Sequence, residues 1–137
     1  MDFFAYNNIL ICKDPVVQVE ANGQAIGYEF RIKYPSYRGA YLSCIEGLSF
    51  EVDGRAVPQH EVFFQLNGKQ FLLDELKDQY KEYWFIRDKA TVRVLRDGGL
   101  PAGPHDVRVI MRHRVPYTGY FGQYLVLDSD ETATLQA

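Results

Sequence analysis

Apolar and polar positions alternate along most of this chain. Tyr28, Phe30, Ile32 and Tyr34 fall on one side, with Glu29, Arg31 and Lys33 on the other. Leu48, Phe50 and Val52 repeat the pattern. Further on, Val107, Val109, Met111, His113 and Val115 oppose Arg108, Ile110, Arg112 and Arg114. A period of two describes a strand with one face in a core and the other in water. Three dipeptides, Asn22-Gly23, Asp53-Gly54 and Asn67-Gly68, interrupt the alternation. Each tolerates the positive φ of a type I′ turn, so each predicts a tight antiparallel hairpin. The joined runs are 16–20 with 25–34, 48–52 with 55–57, and 62–66 with 69–73. The segment 97–105 carries too many Gly and Pro residues for a strand and is expected to join 90–95 to 106–110 as another hairpin. The last strand is expected at 124–127, at 132–135, or at both.

One stretch follows a different period. Leu73, Leu76 and Tyr80 are spaced as i, i+3, i+7, which predicts a short amphipathic helix with Asp74 as its N-cap. Trp84 and Phe85 follow and are expected to plug one end of the core. About eight short strands, with a turn roughly every 8–12 residues, predict an all-β fold. The expectation is an antiparallel β-sandwich, jelly-roll-like, with one short helix, in a single domain over residues 1–137.

Composition narrows the function classes. The chain has 137 residues, enough for one real core, and a net charge of −3, which gives no electrostatic case for nucleic acid. Aromatic residues make up 15% of the sequence, an excess that suits pleated surfaces. No apolar run approaches the ~20 residues of a membrane span. The start, Met1-Asp2-Phe3-Phe4, lacks a basic segment followed by an apolar one, so a cytoplasmic protein is expected. Cys12 and Cys44 do not make a disulfide framework and are read as thiols rather than as a bridge.

Chemistry-bearing motifs are sparse. His60, His105 and His113 have neither each other nor a cysteine at metal-ligand spacing, so no metal site is expected in this chain. His105 reads as a turn residue at a strand start, and His113 as a semi-core histidine on an apolar face. Gly98, Gly99 and Gly103 precede no helix and form no phosphate loop. Glu46 reads as an acceptor for backbone N–H groups at a loop base. No catalytic residue is assigned. What stands out is two aromatic loops. The first, 34–41, holds Tyr34, Tyr37, Arg38 and Tyr41; the second, 113–124, holds Tyr117, Tyr120, Phe121 and Tyr124 among Pro116, Gly119 and Gly122. Stiff amphipathic rings and an arginine suit a binding surface. Tyr37, Arg38, Tyr41, Tyr117, Tyr120 and Phe121 are therefore the candidate contact residues.

Three phrases carry a family resemblance: residues 37–54, beginning Tyr37-Arg38-Gly39-Ala40-Tyr41; residues 71–76, Phe-Leu-Leu-Asp-Glu-Leu; and residues 98–109, Gly-Gly-Leu-Pro-Ala-Gly-Pro-His-Asp-Val-Arg-Val. From about Val17 to about Leu135 the chain resembles the small beta subunit of bacterial C-glycoside deglycosidases. The resemblance implies a larger alpha subunit with a TIM-type barrel that binds a divalent metal, Mn²⁺, and supplies the base, in a higher-order hetero-oligomer. The complex would cleave the C–C bond between a 3-oxo-glucosyl group and an aromatic, flavonoid-type aglycone. Removal of the sugar C2 proton, with the metal polarising the keto oxygen, would expel the aglycone by β-elimination. In this picture the aromatic loops lie at the junction with the partner or the 3-oxo-C-glycoside, and this chain is not catalytic alone. The chief rival is a free-standing carbohydrate- or polyphenol-binding β-sandwich module, whose exposed aromatics would work without a partner. A small-ligand barrel is a second.

Overall fold

The computed structural model describes residues 9–116 and 124–137. Its strands, all antiparallel, are β1 (Val17–Ala21), β2 (Gln24–Lys33), β3 (Ala40–Tyr41), β4 (Ile45–Val52), β5 (Arg55–Ala56), β6 (Val62–Leu66), β7 (Lys69–Leu72), β8 (Tyr83–Trp84), β9 (Lys89–Leu95), β10 (Pro104–Val115) and β11 (Leu125–Gln136). One sheet has the order β1-β2-β9-β6-β7 and a second the order β11-β10-β4-β5, while β3 and β8 form a separate two-stranded ribbon. The inward faces meet in a core that draws on both sheets, with Phe30 of β2 edge-on to Phe50 of β4 at 5.6 Å between ring centroids. This is the all-β sandwich expected.

The three Asn-Gly and Asp-Gly turns form as predicted. Asn22, Asp53 and Asn67 take φ of 52°, 52° and 55°, and the glycine after each is also positive. The alternation on β10 also holds: Val107, Val109, Met111, His113 and Val115 are buried. On its outer face Arg108 pairs with Glu51 and Asp130, Arg112 with Asp128, and Arg114 with Glu46, so the arginines are neutralised from the flanking strands β4 and β11.

Several expectations are corrected. Residues 90–95 and 106–110 do not make a hairpin: β9 pairs with β2 and β6, and β10 with β4 and β11, so the loop between them crosses from one sheet to the other. A Gly/Pro-rich loop marks a change of direction but not the partner of the strand that follows. Gln18 of β1 holds this crossover by accepting from Leu100 N–H at 3.2 Å and donating to Leu100 O. The two proposed terminal strands are one, β11, which pairs along the whole of β10. The helix is a 3₁₀ helix, Leu73–Asp78. Leu72 is its N-cap residue rather than Asp74, and the Leu72 N–H is accepted by Glu75 at 2.8 Å. Its Leu76 is buried as the helix packs against β4, β6 and β7, covering one open side of the sandwich. Tyr34 is no loop residue on display. It is 1% exposed and lies in the core just beyond β2.

On the other side, residues 10–12 extend the β1 edge. Cys12 N–H donates to Arg31 O at 3.0 Å, Lys33 N–H donates to Leu10 O at 2.8 Å, and the buried Glu131 of β11 accepts from Ile11 N–H. Burial raises the Glu131 pKa, opposed by that hydrogen bond and by Lys13. Val16 N–H then reaches Gln136 O at 2.8 Å, tying the two sheets together.

At the end where Asp53-Gly54 turns, His105 lies within β10 and faces two acceptors. Nδ1 is 2.6 Å from Asp53 Oδ2 and Nε2 is 2.7 Å from Pro101 O. Only the imidazolium donates from both nitrogens. The Asp53 hydrogen bond, then that to Pro101, raises the His105 pKa, and the His105 bond lowers that of Asp53. A raised histidine pKa stabilises the fold below about pH 6.5 and loses that contribution as pH climbs through the raised value. His105→Gln is therefore expected to cost more stability at pH 5.5 than at pH 9, as read by urea unfolding at both pH values.

Candidate functional site

The β3–β8 ribbon closes the opposite end of the sandwich, and Trp84 holds it there. Its ring is fully buried, 5.2 Å from that of Tyr34 and 5.3 Å from that of Phe64. Its Nε1–H donates to Asp88 O at 2.9 Å, and Asp88 N–H donates to Phe85 O at 3.0 Å, so residues 85–88 form a pinned turn. Ala40 pairs with Trp84 and Tyr41 with Tyr83, while Leu42 N–H donates to Glu82 O at 2.9 Å. Gly39 permits this approach. A Cβ there would overlap the Trp84 carbonyl oxygen and lie 2.9 Å from Tyr83 Cε2.

A strand turns successive side chains to opposite faces. With Trp84 inside, Tyr83 and Phe85 point outward. Tyr41, Tyr83 and Phe85 make a ladder, at 5.1 Å from Tyr41 to Tyr83 and 4.7 Å from Tyr83 to Phe85. Phe85 is 58% exposed, and Tyr37, Tyr41 and Ile86 are each above 40%. The Arg38 guanidinium lies 5.8 Å from the centre of the Tyr37 ring, at the distance of a cation–π contact. Between residues 37–39 and the turn at 85–88 lies an open cleft of about 460 Å³, lined by Tyr37, Arg38, Tyr83, Phe85, Ile86, Arg87 and Asp88 with the Gly39 backbone.

Below this surface, on β10, sits His113. It is fully buried, its ring is 5.1 Å from that of Tyr34, and neither ring nitrogen has a hydrogen-bond partner among the described residues. Burial pushes its pKa down to about 4, against a small opposing effect of Asp128. The semi-core reading thus holds for its position, but its polar atoms are not paired there. Arg114 next to it donates to Ser43 O at 3.0 Å and to Glu46 Oε2 at 3.2 Å, and lies 5.9 Å from the centre of the Tyr124 ring. Glu46 therefore serves as an arginine partner rather than as an acceptor of backbone N–H groups. Cys44, beside Ser43, is a buried thiol, as is Cys12, and burial raises both pKa values. Among the described residues, no three His, Cys, Asp or Glu side chains gather as a donor set for a metal ion.

Of the residues singled out from sequence, Tyr37, Arg38 and Tyr41 come together at this end. Tyr117, Tyr120 and Phe121 lie outside the described residues. Sequence reasoning missed Tyr83, Phe85, Ile86 and Arg87. The signal was present, because three consecutive aromatics at 83–85 in an extended segment cannot all face one core. Phe85 was expected to plug that core beside Trp84, and it faces solvent instead.

The chain matches the family model described as C-glycoside deglycosidase beta subunit over residues 6–117. It is 36% identical over 116 residues to the 3'-dehydrocarminate deglycosidase beta subunit of a Microbacterium species, covering 85% of this chain and 83% of the relative. It is 31% identical over 109 residues to a C-glycoside deglycosidase beta subunit of Arthrobacter globiformis, covering 77% and 80%. A protein of the same description from Eubacterium cellulosolvens is 32% identical over 87 residues, 64% of this chain, and the match spans 59% of that relative's length.

Two outcomes follow from the geometry. Gly39→Ala is expected to destabilise the protein by about 1–3 kcal/mol, because the new methyl meets backbone that cannot yield freely; thermal unfolding measures it. His113 has its folded pKa below the ordinary value of 6.5, so its contribution to stability is present above about pH 6.5 and is lost as pH falls toward about 4. His113→Phe is expected to flatten the decline of the melting temperature over that window.

Proposed function

We propose that this chain, which belongs to the C-glycoside deglycosidase beta subunit family, is the small subunit of a two-chain enzyme that cleaves the C–C bond of a 3-oxo-C-glycoside. The observation that carries the reading is the exposed aromatic and arginine surface on the β3–β8 ribbon. It is built from the segments 37–41 and 83–88, both inside the stretch that matches the family. An exposed apolar cluster of this kind on a small protein marks a place where another molecule sits.

In this reading the reaction is a β-elimination. The 3-oxo group acidifies the sugar C2–H; as a base takes that proton, a C1=C2 double bond forms, the bond from C1 to the aglycone breaks, and the aglycone carbon takes up a proton as it leaves. The base and the divalent metal, Mn²⁺, belong in this reading to a barrel-type alpha subunit, as the family resemblance implies. The beta subunit closes the site. Its rigid sandwich presents Tyr37, Arg38, Tyr41, Tyr83 and Phe85 to the junction and keeps water from the reacting bond. The two free thiols, Cys12 and Cys44, support a reducing, cytoplasmic setting.

Co-expression with a barrel-type alpha subunit of this enzyme class, followed by copurification and an assay on a 3-oxo-C-glucoside with Mn²⁺, tests the assignment. Aglycone release is expected only with both chains present. Arg38→Ala combined with Tyr41→Ala is expected to lower kcat/KM or the copurified fraction at least about tenfold, a loss of about 1.4 kcal/mol, without changing the melting temperature of this chain. Full activity of the double variant would remove the ribbon from the junction. A stable monomer with no partner and no release would favour the solitary binding module.

A further inference from the structure

The cleft between residues 37–39 and 85–88 has a chemistry of its own. Its walls are the rings of Tyr37, Tyr83 and Phe85 and the side chain of Ile86. Its polar lining is two guanidiniums, Arg38 and Arg87, and one carboxylate, Asp88. Arg38 lies over Tyr37, whereas Arg87 is exposed and has no ion-pair partner among the described residues. The floor is fixed, because Asp88 O and N–H are both taken by the Trp84 turn. At about 460 Å³ the cleft falls within the range of small-molecule sites, on the order of 300–1,000 Å³. Arginine recognises planar anions through a flat fork of donors and stacks on aromatic faces.

We propose that this cleft is a binding site for a planar aromatic anion, a phenolate or carboxylate, with the ring against Tyr83 and Phe85 and the charge on Arg87. The proposal rests on the subunit reading for its biological ligand, the aglycone half of the substrate, and deepens it by placing that half on this chain rather than wholly on the partner. Binding involves no covalent step. The aglycone is recognised by shape, stacking and charge, and the sugar remains toward the partner's metal and base.

The test uses the full chain with 2-naphthoate as a planar aromatic anion, 2-naphthamide as its neutral counterpart and cyclohexanecarboxylate as a non-aromatic anion. Affinities are measured by calorimetry or ligand-observed NMR. Naphthoate is expected to bind, with both other compounds at least about tenfold weaker. Arg87→Gln and Phe85→Ala should each weaken naphthoate about tenfold, while Arg55→Gln, on the strand β5 after the Asp53-Gly54 turn at the far end, should not. Absence of naphthoate binding, equal affinity for naphthamide, or indifference to Arg87→Gln overturns the proposal.

Copurification with the barrel subunit, run on the same variants, keeps the two readings apart. A partner that copurifies with a chain unable to bind naphthoate sinks the ligand site and leaves the subunit reading standing. Naphthoate binding with no partner does the reverse. Variants that abolish copurification but keep naphthoate affinity overturn the ligand site in favour of a protein contact.

Discussion

Trp84 is the point from which the candidate surface hangs. Its indole fills the end of the core against Tyr34 and Phe64, and its one polar atom is spent on Asp88 O. A buried indole N–H left unpaired would cost about 1–3 kcal/mol, so the ring and the turn at 85–88 are specified together. Once the turn is fixed, the parity of the strand decides the rest. Tyr83 and Phe85 have nowhere to go but outward. Gly39 lets the neighbouring segment close on the same backbone, so Tyr41 completes the aromatic ladder. The exposed rings are thus the obverse of one buried ring.

Much of the scaffold was legible because it obeys local rules. Alternation located the faces of β2, β4 and β10, and the Asn-Gly and Asp-Gly pairs located the hairpins, since both signals are written within a few residues. Strand partners were not legible where they depend on distant segments. The loop at 97–105 looked like a hairpin, yet β9 and β10 lie in different sheets, because β9 pairs with β2 and β6 while β10 pairs with β4 and β11. Tyr34 was misread for a related reason. Its neighbours Pro35, Ser36 and Tyr37 break the pattern, but the residue itself continues the inward side of β2 one position past the strand's end.

The candidate surface was half legible. The phrase Tyr37-Arg38-Gly39-Ala40-Tyr41 drew notice through its composition, whereas Tyr83 to Arg87 did not, because an aromatic run beside a tryptophan looks like core. The ribbon pairing of β3 with β8 joins two segments some forty residues apart and turns two half-signals into one surface.

The arrangement of β11 bears on how such a protein survives before assembly. It is a 12-residue strand at the rim of its sheet, and a long, bare rim is a template for strand addition by another chain. Here that rim is guarded. Asp128 and Asp130 carry charge along it while bound to arginines of β10, Glu131 turns inward to hold residue 11, and the segment before β1 is tied to its far end through Val16 and Gln136. A subunit that waits with one sticky end exposed must not also be sticky along its edge. The paired charges on β10 and β11 would have to be stripped of water before another strand could add along this rim, which sets a cost on pairing there.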